Sequence, residues 1–247
     1  AYVKKKHLII NGSFEEINSV EKLISLLSNL LEKCTSSDSI FIKPSDGIGG
    51  GGVYKIHKGS FSDTNNIKKL FADLQKNNYI IQEAVIQHEI MNRLNPSSLN
   101  SIRIHTYRKP NGEIGIASAL SRMGYGGSHV DNITAGGIFV SVDIDKGCLE
   151  KYGYNFIARG GGSYTIHPDT KTVFAGFQLP FFSQSQALVC QAASYFENKV
   201  IGWDVAITPN GPILVEGNHN PHLMMAQTAC GGFRHHPIYK ELFKEYL

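Results

Sequence analysis

A chain of 247 residues is long enough to bury one large core or two smaller ones without disulfide or metal staples. Hydrophobic residues make up 42% and charged residues 18%, an ordinary globular composition that excludes a disordered chain. The 24 basic and 21 acidic side chains leave a formal charge of +3, too balanced for a protein that coats nucleic acid, and no apolar run reaches the roughly 20 residues of a membrane span.

The longest apolar stretch, Val20 to Leu31, is broken by Glu21, Lys22, Ser25, Ser28 and Asn29. Lys4-Lys5-Lys6 is followed only by Leu8-Ile9-Ile10, too little for the apolar segment of a signal peptide. Cys34, Cys148, Cys190 and Cys230 form no CxxC pair, which suits reduced thiols and a cytoplasmic setting.

Residues 18–33 carry Val20, Leu23, Ile24, Leu27, Leu30 and Leu31 at helical spacing, with Asn18 and Glu21 placed as a capping box. Ile40 to Lys43 reads as a strand stopped by Pro44, and Val53 to Ile56 as a second one after the glycine run that starts at Gly47. Asp63 is placed to cap a helix carrying Ile67, Leu70, Phe71 and Leu74, and Tyr79 to Glu83 returns to strand. Ser101–Arg108 and Glu113–Arg122 flank Pro110-Asn111-Gly112, a hairpin signal, and Gly137–Asp143 is a further strand. The Gly-rich stretch 153–180 reads as loop, Ser183 as the cap of a helix ending near Phe196, and Pro237–Leu247 as a short helix. Val200–Thr208 and Pro212–Gly217 flank a second Pro-Asn-Gly turn.

Four constellations carry chemistry. Lys43 at a strand end, just before the backbone of Gly49, Gly50, Gly51 and Gly52, suits a polyphosphate: glycine amides wrap the anion and the ammonium neutralises it. The competing reading is a flexible loop beside a surface lysine. On the last hairpin, a three-residue Pro209-Asn210-Gly211 loop pairs Thr208 with Pro212, hence Ala206 with Leu214 and Asp204 with Glu216. Asn218 lies two residues further, so two carboxylates and a carboxamide share one face as hard oxygen ligands for Mg²⁺. A two-residue loop would put Asp204 and Glu216 on opposite faces, and the competing reading is a solvated edge hairpin.

Third, alternation places Arg103, His105 and Tyr107 on one face of a strand and Ile102, Ile104 and Thr106 on the other, so that Arg103 can clamp a phosphate or carboxylate or simply pair with an acid. Fourth, Arg122, Asp131 and Asn132 border a glycine-supported loop suited to substrate contact or to tight structure. His219, His222, His235 and His236 cluster without zinc spacing, which makes His219 a candidate for lining the cleft beside Asn218 rather than a metal ligand.

In this order the pieces resemble the ATP-grasp superfamily. Asn95 to Arg103, Arg122-Met123-Gly124, Asp131-Asn132 and Gly202-Trp203-Asp204-Val205-Ala206 are similar to the ATP-grasp family associated with sugar-transfer and surface-polysaccharide gene clusters. The resemblance implies an α+β fold in which two lobes with mainly antiparallel sheets enclose a nucleotide cleft. It implies a remnant at 1–37 (a short strand and one helix), a small lobe at 38–85 with the glycine loop, and a large lobe at 86–247 with the metal site.

It further implies ATP and Mg²⁺ as cofactors. Lys43 would meet the α/β phosphates under Gly49–Gly52. Gln82, Glu83, Ala84 and Val85 would lie by the adenine, and Glu89 or His88 by the ribose. Asp204, Glu216 and Asn218 would hold the metal, and Arg103 would stabilise the transferred phosphoryl group. Where many ATP-grasp ligases carry an arginine two residues before the metal-binding aspartate, this chain has Gly202, so Arg103 or Arg122 must substitute. The implied reaction is carboxylate–amine ligation through an acyl-phosphate on a small-molecule or sugar-linked substrate. A sugar kinase and a non-catalytic nucleotide-binding module are the alternatives.

Overall fold

The computed structural model describes residues 1–46, 52–126, 137–156, 160–234 and 236–242. The chain divides into two units, Ala1–Ile86 and Gln87–Leu247, each with its own sheet and core.

The first unit runs β1 (Tyr2–Lys4), β2 (His7–Ile10), β3 (Ser13–Glu16), α1 (Val20–Glu32), β4 (Ser39–Pro44), β5 (Tyr54–His57), α2 (Thr64–Lys76) and β6 (Tyr79–Glu83). Its antiparallel sheet has the order β3-β2-β1-β6-β4-β5. Residues 1–37 thus supply three strands and a helix to this sheet, where one strand was expected. The strands escape a periodicity reading because each has only three or four residues and β3 is exposed throughout. The legible signal was Asn11-Gly12, whose positive φ angles of 48° and 83° make the tight β2–β3 turn.

Period-two alternation turns Ile40, Ile42, Tyr54, Ile56, Tyr79 and Ile81 to one side of the sheet. Leu23, Leu27 and Leu31 of α1 and Ile67, Leu70 and Leu74 of α2 pack onto them, as the helical spacing predicts. Asp63 caps α2 by accepting from the Asn66 amide. For α1 the cap is Ser19, which accepts from the Lys22 amide, and not Asn18.

The second unit runs α3 (Glu89–Asn92), β7 (Ile102–Arg108), β8 (Ile114–Met123), β9 (Ile138–Asp143), β10 (Cys148–Tyr154), β11 (Ser163–Tyr164), α4 (Phe182–Ser194), β12 (Val200–Thr208), β13 (Gly211–Asn218), α5 (Met224–Ala229) and α6 (Pro237–Leu242). Its antiparallel sheet has the order β11-β10-β9-β8-β7-β12-β13. All of β10 and β11 lie outside the expected strands, and a register shift between Leu149 and Gly153 breaks the alternation of β10. Helix α4 starts at Phe182 behind Phe181, whose φ is 55°, so Ser183 lies inside the helix and does not cap it.

Both faces of this sheet are covered. Ile102, Ile104, Trp203, Val205 and Ile207 pack with Phe182, Val189 and Ala193 of α4. On the opposite face, Tyr107, Leu120 and Phe139 pack with Met225 and Ala226 of α5 and Tyr239 of α6. The alternation expected along β7 is therefore present. Its far end on the second face, near Asp204, is polar.

Candidate functional site

The last hairpin departs from the expected turn and still delivers the expected pairing. Thr208 pairs with Gly211, so the loop has two residues, and Ile207, Ala206 and Val205 pair with Pro212, Ile213 and Leu214. A register shift then inserts Val215 as a bulge, and Asp204 meets Glu216 while Gly202 meets Asn218. One extra residue in the strand replaces the one missing from the turn. Gly211 takes φ 122°, a conformation that admits glycine.

Register also aligns β12 with its other neighbour: Asp204 pairs with Arg103 and Gly202 with His105. Arg103, His105, Gly202, Asp204, Glu216 and Asn218 consequently share one face of three adjacent strands. Arg103 makes a bidentate pair with Asp204, with Nε donating to Oδ1 and Nη2 donating to Oδ2 at 3.0 Å. Arg122, from β8, reaches the same Oδ2 at 3.0 Å and donates to the Ser101 hydroxyl at 2.7 Å. Both arginines and the acid are nearly excluded from solvent. Burial alone would raise the Asp204 carboxyl, but the Arg122 and Arg103 guanidiniums outweigh it and hold the acid below its ordinary range.

Gly202 leaves little room for a side chain. A Cβ at this position would lie 2.6 Å from the Pro221 Cβ, 3.3 Å from the His105 ring and 3.4 Å from the Arg103 Cδ. Pro221 thus blocks a side chain at 202, with the His105 ring crowding it and Arg103 packed alongside. His105 is fully buried, with Nδ1 2.9 Å from the Ser118 hydroxyl, which is 2.8 Å from the Tyr239 hydroxyl. Burial, then the nearby Arg103, lower its pKa to about 3, so it is neutral at physiological pH. Ser118 and Tyr239 belong to this polar cluster without any motif that marks them in the sequence, and Ser101 lies in the segment that leads to Arg103. Strand alternation around Arg103 was enough to place Ser101 on its face, whereas Tyr239 arrives from 121 residues beyond Ser118.

A divalent cation needs hard oxygen donors with free lone pairs. Glu216 is exposed and makes no hydrogen bond or ion pair among the described residues. Asn218 donates Nδ2 to the Gly202 carbonyl at 3.3 Å, which directs its Oδ1 elsewhere. These two fit a hard cation. Asp204, with both oxygens committed to guanidinium donors, fits it poorly.

In the first unit, Lys43 and Gln82 project from the sheet face opposite the helices, with the Lys43 ammonium 5.7 Å from the Phe41 ring centroid. Glu83 is turned the other way. Its carboxylate accepts from the Ser36 and Ser37 amides at 2.6 and 2.8 Å, a local structural task. The Ala84 amide is also committed, to the Ser39 carbonyl at 2.9 Å, which leaves its own carbonyl and the backbone of Val85 as polar groups there.

In the second unit, His88 caps α3 through the Ile90 amide, and Glu89 is exposed in its first turn. Asn95 holds the loop after β8 by donating to the Gly124 carbonyl at 2.7 Å and to the Ser98 hydroxyl at 3.0 Å. The segment from Asn95 to Arg103 is therefore a scaffold as well as a source of the arginine. His219 is exposed, and His222 lies edge-on to Phe156. No group of three or more His, Cys, Asp or Glu side chains is placed to hold a metal among the described residues. Gly49, Gly50, Gly51, Asp131, Asn132 and His235 lie outside the described residues; Gly52 is described, at φ 71°.

The architecture is that of the ATP-grasp enzymes. The structure of D-cycloserine synthetase aligns with a TM-score of 0.50 at 12% identity, over 90% of this chain and 60% of that one. The ADP complex of N5-carboxyaminoimidazole ribonucleotide synthetase aligns with a TM-score of 0.48 at 12% identity, over 90% and 40%. D-alanyl-alanine synthetase A from Vibrio cholerae aligns with a TM-score of 0.46 at 13% identity, over 91% and 54%. The chain thus spans between 40% and 60% of the length of these structures. No curated protein sequence matches it significantly. The profile of the sugar-transfer associated ATP-grasp family matches residues 3–236, and the chain belongs to that family.

Proposed function

We propose that this protein is an ATP- and Mg²⁺-dependent carboxylate–amine ligase that works through an acyl-phosphate on a cytoplasmic, sugar-linked or amino-acid substrate. The observation that carries the reading is the buried Arg103–Asp204–Arg122 network beside Glu216 and Asn218 in an ATP-grasp fold. The neighbours' substrates and nucleotides, including the ADP held by the ribonucleotide synthetase, support the class and do not name the acceptor.

In this reading the acceptor carboxylate attacks the γ-phosphorus, the bond to ADP breaks, and an acyl-phosphate forms. The amine then attacks the acyl carbon, phosphate leaves, and the amine proton is lost to solvent. A buried, preorganised arginine pair stabilises the charge that develops on the phosphoryl oxygens without reorganising at the moment of reaction. Lys43 neutralises the nucleotide phosphates. Glu216 and Asn218 would hold a magnesium ion, which offsets phosphate charge when bound. None of these residues serves as a covalent nucleophile.

Incubation with ATP, Mg²⁺ and pairs drawn from carboxylic acids and amines tests the proposal. The expected result is ADP release that needs both partners, free phosphate and an amide product. Phosphate retained on a hydroxyl acceptor would establish a kinase instead. Nucleotide binding with background phosphate release for every pair would establish a binding module.

A further inference from the structure

We infer that Asp204 is a positioning residue that locks Arg103 and Arg122 into a single anion clamp, and that the divalent cation is left to Glu216 and Asn218. The inference rests on the nucleotide reading above and refines its site.

Four observations lead there. Both Asp204 oxygens accept guanidinium donors: Arg103 engages Oδ1 and Oδ2, and Arg122 shares Oδ2 at 3.0 Å. A carboxylate coordinated to a metal needs a lone pair directed at it, and here guanidinium donors already take three of about four lone-pair sites, both of those on Oδ2 among them. Second, the charge count is unfavourable. Two guanidiniums and one carboxylate leave +1, and a divalent cation on the same oxygens would add +2 within contact distance of both arginines, where little water screens the repulsion. The same net charge favours an anion such as a phosphoryl group.

Third, exposure separates the two acids that face each other across the hairpin. Asp204 is 5% exposed, whereas Glu216 is open to solvent and unpaired among the described residues. A hydrated cation that keeps several waters suits the second acid. Fourth, the clamp is braced across three adjacent strands. Arg122 of β8 is tied to Ser101 at 3.0 and 2.7 Å, and Arg103 of β7 fills the space beside Gly202 of β12. Removing Asp204 would release both guanidiniums from their orientation while leaving Glu216 and Asn218 on their own strand.

The experiment uses the full chain and compares wild type with Asp204→Asn, Glu216→Gln and Arg122→Gln. Three quantities are read: Mn²⁺ affinity with excess ADP by electron paramagnetic resonance, melting temperature without metal or nucleotide, and the affinity ratio of a non-hydrolysable ATP analogue to ADP by calorimetry. The inference expects Glu216→Gln to weaken Mn²⁺ binding by about tenfold or more with melting unchanged. It expects Asp204→Asn to retain Mn²⁺ affinity, melt lower and lose the preference for the triphosphate.

Loss of Mn²⁺ affinity in Asp204→Asn equal to that in Glu216→Gln, with unchanged melting, would overturn the positioning role and leave the nucleotide reading standing. Tighter Mn²⁺ binding in Arg122→Gln that survives the added change Glu216→Gln would overturn it too, because the cation would then be held by Asp204 in place of the arginine. That variant keeps the test decisive if Asp204→Asn does not fold. Wild type that binds neither ADP nor Mn²⁺ would overturn the nucleotide reading and this inference together.

Discussion

Gly202 and His105 show how much of the site is decided by single side chains. A methyl group at Gly202 would meet the Pro221 Cβ at 2.6 Å, a separation that real Cβ atoms essentially never show. Gly202→Ala is therefore expected to destabilise the protein by about 1–3 kcal/mol through forced displacement, read as a lower urea midpoint at an unchanged slope. His105 predicts a pH dependence. Its pKa is lowered to about 3 by burial and Arg103, against an ordinary value of 6.5. The unfolded chain takes up a proton on His105 as pH falls below about 6.5 while the folded chain does not, so stability is full above that pH and declines toward pH 3. The lost contribution approaches about 4–5 kcal/mol at the low end. Urea midpoints between pH 7 and pH 4 should fall more steeply for wild type than for His105→Gln. Parallel slopes would show that this histidine does not titrate between the two states.

Among whole elements, the two helices of the first unit and the last hairpin are the informative ones. Helix α1 is capped by Ser19, one residue after the position that spacing suggested. Ser19→Ala should lower stability by about 1 kcal/mol while Asn18→Ala leaves it unchanged, as judged by urea unfolding. The apolar stripe of α1 is legible because its period is local. The cap is ambiguous because Asn18 and Ser19 are both good N-cap residues and only the backbone angle selects between them. In the β12–β13 hairpin, the turn is one residue shorter than the Pro-Asn-Gly signal predicts, and the Val215 bulge restores the pairing of Asp204 with Glu216. Gly211, at φ 122°, carries the turn, and Gly211→Ala should cost about 1–3 kcal/mol in the same measurement although an added Cβ would meet only the Gln184 Oε1 at an ordinary 3.7 Å.

Over the whole molecule, two cores support two sheets, and the proposed nucleotide binding is read as a change in the stability of the folded chain. If it is right, ADP with Mg²⁺ at about a hundred times its dissociation constant should stabilise the folded chain by about 2.7 kcal/mol, visible as a melting shift of several degrees. Lys43→Ala and Glu216→Gln should each reduce that shift. An undiminished shift in both variants would remove these side chains from the binding site.

Local pattern was sufficient for α1, α2, β4, β6, β7, β8 and β12, because each carries its own periodicity and its own stop signal. It was also sufficient for the family, since Lys43, Arg103, Asp204, Glu216 and Asn218 occur in a recognisable order. It was silent on which groups satisfy one another. That Asp204 faces two arginines, that Glu83 serves the Ser36 and Ser37 amides, and that Tyr239 closes a polar chain to His105 depends on strand registers and long loop closures. Those contacts join residues as far apart as 121 positions in the chain, and hydrogen-bonding geometry over such a distance leaves no trace in any short window of sequence.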